Sequence, residues 1–254
     1  MTRTYDPAAL DGETLDAVLY DRLNPWGAGD AFYLDLVMAA ERVLDVGCGT
    51  GTLLRRARAE GHTGHLAGLD PDTAMLDQAR ESDAAEWRLA TAAQTPWTGE
   101  FDLAVMSGNA FQFLLDDATV HDSLVAIRRA LASGGRFAFD TRNPACREWR
   151  HWNPDHPYEV IDPAGARLRV HHEASEPDED GVVTVATVFT GPHWGRPLTA
   201  SGALRFTSVS DLDRLLAESG FTVAERYGTW DRDPFHPDDS GSIITICGRP
   251  LSPR

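Results

Sequence analysis

Val43-Leu-Asp-Val-Gly-Cys-Gly-Thr-Gly51 is the stretch on which the reading of this 254-residue chain turns. A short apolar strand runs into three glycines spaced G-x-G-x-G, and a helix-like segment starts at Thr52. Glycines at such a junction let the backbone turn tightly and let a ligand approach main-chain N–H groups before the helix begins. The dinucleotide fingerprint is G-x-G-x-x-G, whose third glycine would fall at Thr52, so the spacing disfavours a nicotinamide oxidoreductase. A second acid, Asp70, ends the next strand about 20 residues later, where a carboxylate can accept both hydroxyls of a ribose.

Outward from this loop, strand and helix patterns alternate. Strands are expected at 43–46, 65–69, 86–89, 101–106 and 135–139, and helices at 52–60, 73–81 and 118–130. Ser133-Gly-Gly135 reads as the stop of the last of these helices. Alternation of this kind implies an α/β fold with a parallel sheet wrapped by helices. Before it, 14–23 and 30–40 read as two helices around Asn24-Pro-Trp-Gly27. After it the pattern changes to alternating strands at 166–173, 182–190 and 198–206, the last two joined by the turn-rich 191–197. Residues 176–181 read as an acidic, solvated tip. A helix at 208–219, with Ser208 and Asp211 as a capping box, and strands at 222–227 and 242–247 close the chain. The expected domains are a helical cover (1–40), a core (41–141 and 207–254) and an inserted antiparallel sheet (142–206). An insertion at the carboxyl end of a parallel strand sits where α/β proteins bind ligands.

Composition narrows the function. Hydrophobic residues at 42% and charged residues at 24% exclude disordered, collagenous and coiled-coil classes. All 23 basic residues are Arg, so Schiff-base lysine chemistry and the P-loop lysine are excluded. Against 39 acids they leave a net charge of −16, which argues against nucleic acid and anionic membrane surfaces as partners. Cys48, Cys146 and Cys247 are odd in number and widely spaced, which fits a reducing cytoplasm and no disulfide framework or zinc site. Met1-Thr-Arg-Thr-Tyr-Asp-Pro lacks a signal-peptide core, and no apolar run reaches membrane-spanning length. A cytoplasmic protein is expected, with no metal: His171 and His172 are adjacent on a strand and face opposite ways.

At the glycine loop the sequence resembles the class I S-adenosylmethionine-dependent methyltransferases. Leu44-Asp-Val-Gly-Cys-Gly-Thr-Gly51 is similar to that family's first motif, and Gly68-Leu-Asp-Pro-Asp-Thr-Ala-Met-Leu76 to its second. Phe101-Asp-Leu-Ala-Val-Met-Ser-Gly-Asn-Ala-Phe-Gln112 resembles its fourth-strand motif, and the inserted strands resemble the small sheet of glycine and sugar N-methyltransferase-like members. The resemblance implies a Rossmann-like sheet, mostly parallel with an antiparallel last strand, plus a small inserted antiparallel sheet.

The resemblance also implies roles. Gly47, Cys48 and Gly49 would hold the methionine part of S-adenosyl-L-methionine with Asp45 in support, Asp70 the ribose, and Pro71 with Met75 the adenine faces. The third motif usually offers a carboxylate to the adenine amino group. Here Leu89-Ala-Thr-Ala-Ala93 has none, leaving Thr91, or Gln94, and the Ala92 amide. Ser107, Asn109 and Gln112 would lie beside the sulfonium. Acceptor-side candidates are Arg142, Asn143, Trp149, Trp152 and Trp230, with His151 as the general base should the nucleophile arrive protonated. N- and O-methylation of a small molecule both stay open, as do monomer and homodimer. The alternative is a cofactor-binding protein with a non-methylating or regulatory role.

Overall fold

Alternation along the first core strand sets the layers of the larger sheet. In β1 (Arg42–Val46), Leu44 and Val46 point to one face and Val43 and Asp45 to the other. The computed structural model describes residues 10–192 and 194–250 of the chain. It divides into two units: one runs from Trp26 to Cys146 and resumes at Arg205, and the other joins the residues up to Pro25 with Arg147–Leu204.

In the larger unit, α2 (Ala28–Met38) precedes β1, which is followed by α3 (Thr52–Ala59), β2 (His65–Asp70), α4 (Thr73–Ala79) and β3 (Glu86–Leu89). Then come β4 (Phe101–Met106), α5 (Asp117–Ala130), β5 (Leu131–Arg142), α6 (Val209–Glu218), β10 (Thr222–Tyr227) and β11 (Ser242–Gly248). The strands pair in the order β10-β11-β5-β4-β1-β2-β3. β1, β2, β3, β4 and β5 run parallel, and β11 is antiparallel to both of its neighbours. The mostly parallel sheet with an antiparallel last strand is therefore present. The chain leaves β1 toward β2 on one side and returns to β4 on the other, so the sheet switches direction at the glycine loop.

Each face of the sheet is covered by helices. Val120, Leu124 and Ile127 of α5, at helical spacing, pack with Leu212 and Leu216 of α6 against the Leu44 and Val46 side. Phe32, Leu36 and Val37 of α2 and Leu53 and Leu54 of α3 cover the Val43 side. Each such side chain contributes about 1.5–3 kcal/mol on burial.

Three details depart from the sequence expectation. β5 starts at Leu131, directly after α5, so Ser133-Gly-Gly135 lies inside the strand and does not stop the helix. Gly134 has φ +78° there, and the β4–β5 register shifts nearby, so the glycine pair serves a strand irregularity. The second departure is an extra strand in the smaller unit. β6 (Tyr158–Ile161), β7 (Arg167–Ala174), β8 (Val182–Thr190) and β9 (Leu198–Arg205) form the inserted sheet in that order. β6 is too short and too exposed to show an alternation of its own. Leu15 and Leu19 of α1 (Gly12–Leu23) pack on Val160, Leu168, Val170 and Phe189 of this sheet. The two N-terminal helices thus belong to different units, where their sequences suggested one common cover. Gly12 permits the close packing of α1: a Cβ there would lie 1.9 Å from the Thr199 carbonyl oxygen.

Candidate functional site

All three glycines of the loop after β1 take left-handed backbone angles, with φ of +74° at Gly47, +53° at Gly49 and +77° at Gly51. That conformation costs an ordinary residue about 1–2 kcal/mol, which is why the loop requires glycine. Its course is pinned from the neighbouring strand: the Gly47 and Cys48 N–H groups both donate to the Leu69 carbonyl, at 2.8 and 3.0 Å. Asp70 adds a third tether, accepting from the Gly49 N–H at 2.8 Å through one oxygen and from the Asp72 N–H at 2.8 Å through the other. Opposite the loop, Trp87 fills the space beside Gly51 and Gly68, with its indole N–H donating to the Ser82 carbonyl at 2.9 Å.

Three carboxylates converge on one face of the sheet at the ends of β1, β2 and β5. By alternation Asp45 shares a side with Val43, Asp70 with Leu66 and Asp140 with Ala138, all on the α2 and α3 face. Asp45 is only 1% exposed, and its Oδ1 has no hydrogen-bond partner. Burial, helped by the Asp70 charge, pushes its carboxyl up to about 7. Burial also raises Asp70, against the lowering effect of its two N–H donors. Asp140 is raised to about 6 by burial, opposed by hydrogen bonds from Tyr33 and the Asn109 N–H and by the Arg142 charge. The Tyr33 hydroxyl donates to Asp140 Oδ1 at 2.6 Å, and the Asn109 N–H to Oδ2 at 2.9 Å. Neither Tyr33 nor Asp140 was a sequence candidate. An acid inside the apolar run Phe137-Ala-Phe-Asp-Thr141 is the same signal that singles out Asp45, and Tyr33 reads as one more apolar position of α2.

The structure gathers part of the expected set around the loop. Ser107 and Asn109 lie in the turn after β4, where Asn109 takes φ +62°, and a Cβ on Gly47 would meet Ala110 of that turn at 3.1 Å. Gln112 is buried; its amide donates to the Arg205 carbonyl at 3.1 Å and accepts from Arg142 at 2.8 Å. Pro71 is exposed and Met75 half-buried at the start of α4, where Asp72 caps the helix. The Cys48 thiol is buried and raised by desolvation, so that residue offers its backbone and not a nucleophile. Thr91 and Ala92 follow β3; the Thr91 N–H donates to the Gln94 side chain at 3.1 Å, which occupies that amide oxygen locally.

The remaining candidates have structural partners. Asn143 is buried and pins the loop before β11, donating to the Pro237 and Ser240 carbonyls at 2.9 and 2.8 Å. Trp230 packs on Phe32 and Tyr33, with centroids 5.7 and 6.0 Å apart. In the smaller unit Trp149 is buried and donates to Glu176 at 3.2 Å, Trp152 is half-buried, and His151 is exposed with its ring 6.2 Å from His156. Among the described residues, no group of three or more His, Cys, Asp or Glu is disposed to hold a metal ion, and no helix is long and apolar enough to cross a membrane.

Residues 43–135, from β1 into β5, match the family model described as a methyltransferase domain. That stretch of the chain is similar to a methyltransferase domain. In fold the chain is similar to solved structures over nearly its whole length. A S-adenosylmethionine-dependent methyltransferase from Clostridium acetobutylicum is similar at a TM-score of 0.73 and 14% identity, covering 91% of this chain and 96% of that one. The sugar N-methyltransferase KedS8 from Streptoalloteichus sp gives 0.71 at 21% identity, covering 99% and 98%. CalS10, an amino pentose methyltransferase from Micromonospora echinaspora whose structure is described as SAM bound, gives 0.69 at 20% identity, covering 97% and 100%. No curated protein matches the sequence. The chain therefore has the class I methyltransferase fold, with the glycine loop at the switch point of its sheet.

Proposed function

We propose that this protein transfers a methyl group from S-adenosyl-L-methionine to a nitrogen or oxygen of a small-molecule acceptor, leaving S-adenosyl-L-homocysteine. The observation that carries the reading is Asp45: a buried carboxylate with an unpartnered oxygen, at the root of a three-glycine loop. An unpaired buried acid is costly, and a ligand that brings a cationic amine to it offsets that cost. The residues fit the donor in other respects. A carboxylate has about four acceptor sites, so Asp70 can hold the loop through two N–H groups and still receive ribose hydroxyls. The backbone of Gly47, Cys48 and Gly49 holds the methionine part, Pro71 and Met75 flank the adenine, and Thr91 with the Ala92 N–H meets its edge. Ser107, Asn109 and Gln112 face the reacting end, Gln112 being held rigidly between Arg142 and the Arg205 carbonyl.

When bound, the sulfonium supplies a methyl group already activated for in-line attack. The protein's own work is positioning, which supplies roughly 7–11 kcal/mol in well-oriented systems. His151 is needed as a base only for an acceptor that arrives protonated. The solved sugar N-methyltransferase and amino pentose methyltransferase of the same fold support a small polar acceptor. Arg142, Asn143, Trp149, Trp152 and Trp230 are the proposed acceptor-side residues; Trp152→Ala is expected to lower turnover while cofactor affinity stays within about threefold.

Calorimetry with S-adenosylmethionine, S-adenosylhomocysteine and NAD tests the donor, and a screen of amines, amino sugars and phenols with labelled donor tests transfer. Binding of both sulfur ligands but not NAD is expected, with label passing to at least one acceptor class. NAD binding without response to either sulfur ligand would reject the assignment. Tight binding with no transfer to any acceptor would favour the non-methylating alternative.

A further inference from the structure

One buried titratable pair remains outside that account. The Tyr33 hydroxyl and the Asp140 carboxylate, each 1% exposed, join α2 to the end of β5. The second Asp140 oxygen accepts the N–H of Asn109, which takes a left-handed angle of φ +62°. Gly108 before it is also left-handed, with φ +66°. The turn 107–110, with two successive left-handed residues, is thus held by a charge-assisted bond to a carboxylate that Tyr33 fixes in place. It lies against the glycine loop, since Ala110 is the nearest neighbour of a Cβ built on Gly47. The glycine loop itself has separate tethers, to the Leu69 carbonyl and to Asp70.

We propose that Tyr33 and Asp140 are positioning residues for the charged methyl donor, holding the 107–110 turn in the arrangement the sulfonium requires. The inference rests on the function proposed above. The separate tethers of the glycine loop make its consequence specific: loosening the turn weakens recognition of the cationic sulfonium and spares the neutral thioether, which depends on the loop.

The test compares wild type, Tyr33→Phe and Asp140→Asn by amide hydrogen exchange and by calorimetry with S-adenosylmethionine and S-adenosylhomocysteine. Phenylalanine keeps the ring packed against Phe32 and Trp230 and removes only the hydroxyl. Asparagine keeps the geometry, its carbonyl accepting from Asn109 and its NH2 donating to the tyrosine oxygen. Tyr33→Phe is expected to speed exchange of the Asn109 amide about tenfold and to weaken S-adenosylmethionine about tenfold, with S-adenosylhomocysteine changed less than about twofold. Asp140→Asn is expected to keep most of the Asn109 protection. Unchanged Asn109 exchange in Tyr33→Phe would overturn the proposal, as would equal losses for the two ligands, which would make Tyr33 a packing residue. Wild-type protein that binds neither ligand would overturn the proposed function and this inference together.

Discussion

The two units differ in how many carboxylates they bury and where. In the larger unit Asp45, Asp70 and Asp140 sit at strand ends, each 8% exposed or less, and each is pushed up by burial. In the inserted sheet Glu159 and Glu176 lie in solvent, paired with Arg167 at 2.7 Å and Arg150 at 3.0 Å. Asp162 is buried in that unit; its Oδ1 closes its own turn, accepting from the Ala164 and Ala166 N–H groups, and its Oδ2 has no partner. A buried charge lowers stability unless something meets it, whereas an exposed pair costs and contributes little. Each unit holds a buried carboxylate with an unpartnered oxygen, Asp45 in the larger and Asp162 in the smaller, but the larger unit gathers three buried acids where a ligand is proposed to arrive and the other has one, in a turn.

The largest expected effect is at Asp45. Asp45→Asn removes the negative charge that meets the donor's amine and turns one acceptor into an NH2 donor, and is expected to weaken S-adenosylhomocysteine about a hundredfold or more, read by calorimetry. The same variant is expected to stabilise the ligand-free protein. The sign follows from the raised carboxyl: well below 3.8, Asp45 is protonated both folded and unfolded, so it adds no penalty. Between about 4 and about 7 it ionises first in the unfolded chain, so stability is lost as pH rises and the full penalty holds above 7. The displacement from 3.8 to about 7 corresponds to about 4 kcal/mol as an upper figure. Denaturant melts of both proteins at pH 5 and pH 8 check it: the advantage of the variant should grow with pH, and a flat difference would reject the buried-charge account.

Next in size is Gly51→Ala. The left-handed angle and a Cβ placed 2.5 Å from the Trp87 ring together predict a loss of about 2–3 kcal/mol in thermal or urea unfolding. Loss of cofactor affinity with stability intact would instead assign the glycine to ligand approach alone.

A smaller effect is expected in the pH dependence of wild-type binding. The amine pairs with the ionised form of Asp45, so affinity should rise by up to about tenfold per unit as pH climbs from 5.5 toward 7, then level. Asp45→Asn should abolish this slope. A slope that survives the substitution would move the linked proton to another group, with Asp140 the next to try.

The sequence made the larger unit legible because glycine and strand periodicity mark it at each step. The loop at 47–51 and the acids at 45 and 70 stand out against apolar neighbours, and they lie together at the sheet's switch point. Tyr33 and Asp140 were not legible as a pair: 107 residues separate them, and each looks like one more position on an apolar face. Period two along β5 places Asp140 on the same side as Asp45, but only the strand order shows that both ends meet near one turn. The partner of α1 was hidden for a similar reason. Leu15 and Leu19 announce an apolar stripe without saying which sheet receives it, and β6, four residues with one buried, carries no readable pattern.

The smallest effect should come from the exposed side of the comparison. Glu176 accepts from both Arg150 and the Trp149 indole, and these partners hold its carboxyl below the usual range. A lowered acid contributes stability above its unfolded value and loses it as pH falls, but here the group is fully solvated and water screens the pair. Glu176→Gln keeps an oxygen for the Trp149 N–H and removes only the charge, so it isolates the ion pair from the indole contact. Thermal unfolding should shift by less than about 2 °C, and the shift should vanish in about 1 M salt. A fall of about 5 °C or more, insensitive to salt, would show that the inserted sheet also relies on a charge that is not screened. The contrast between the two units would then rest on the ligand alone and not on where each keeps its acids.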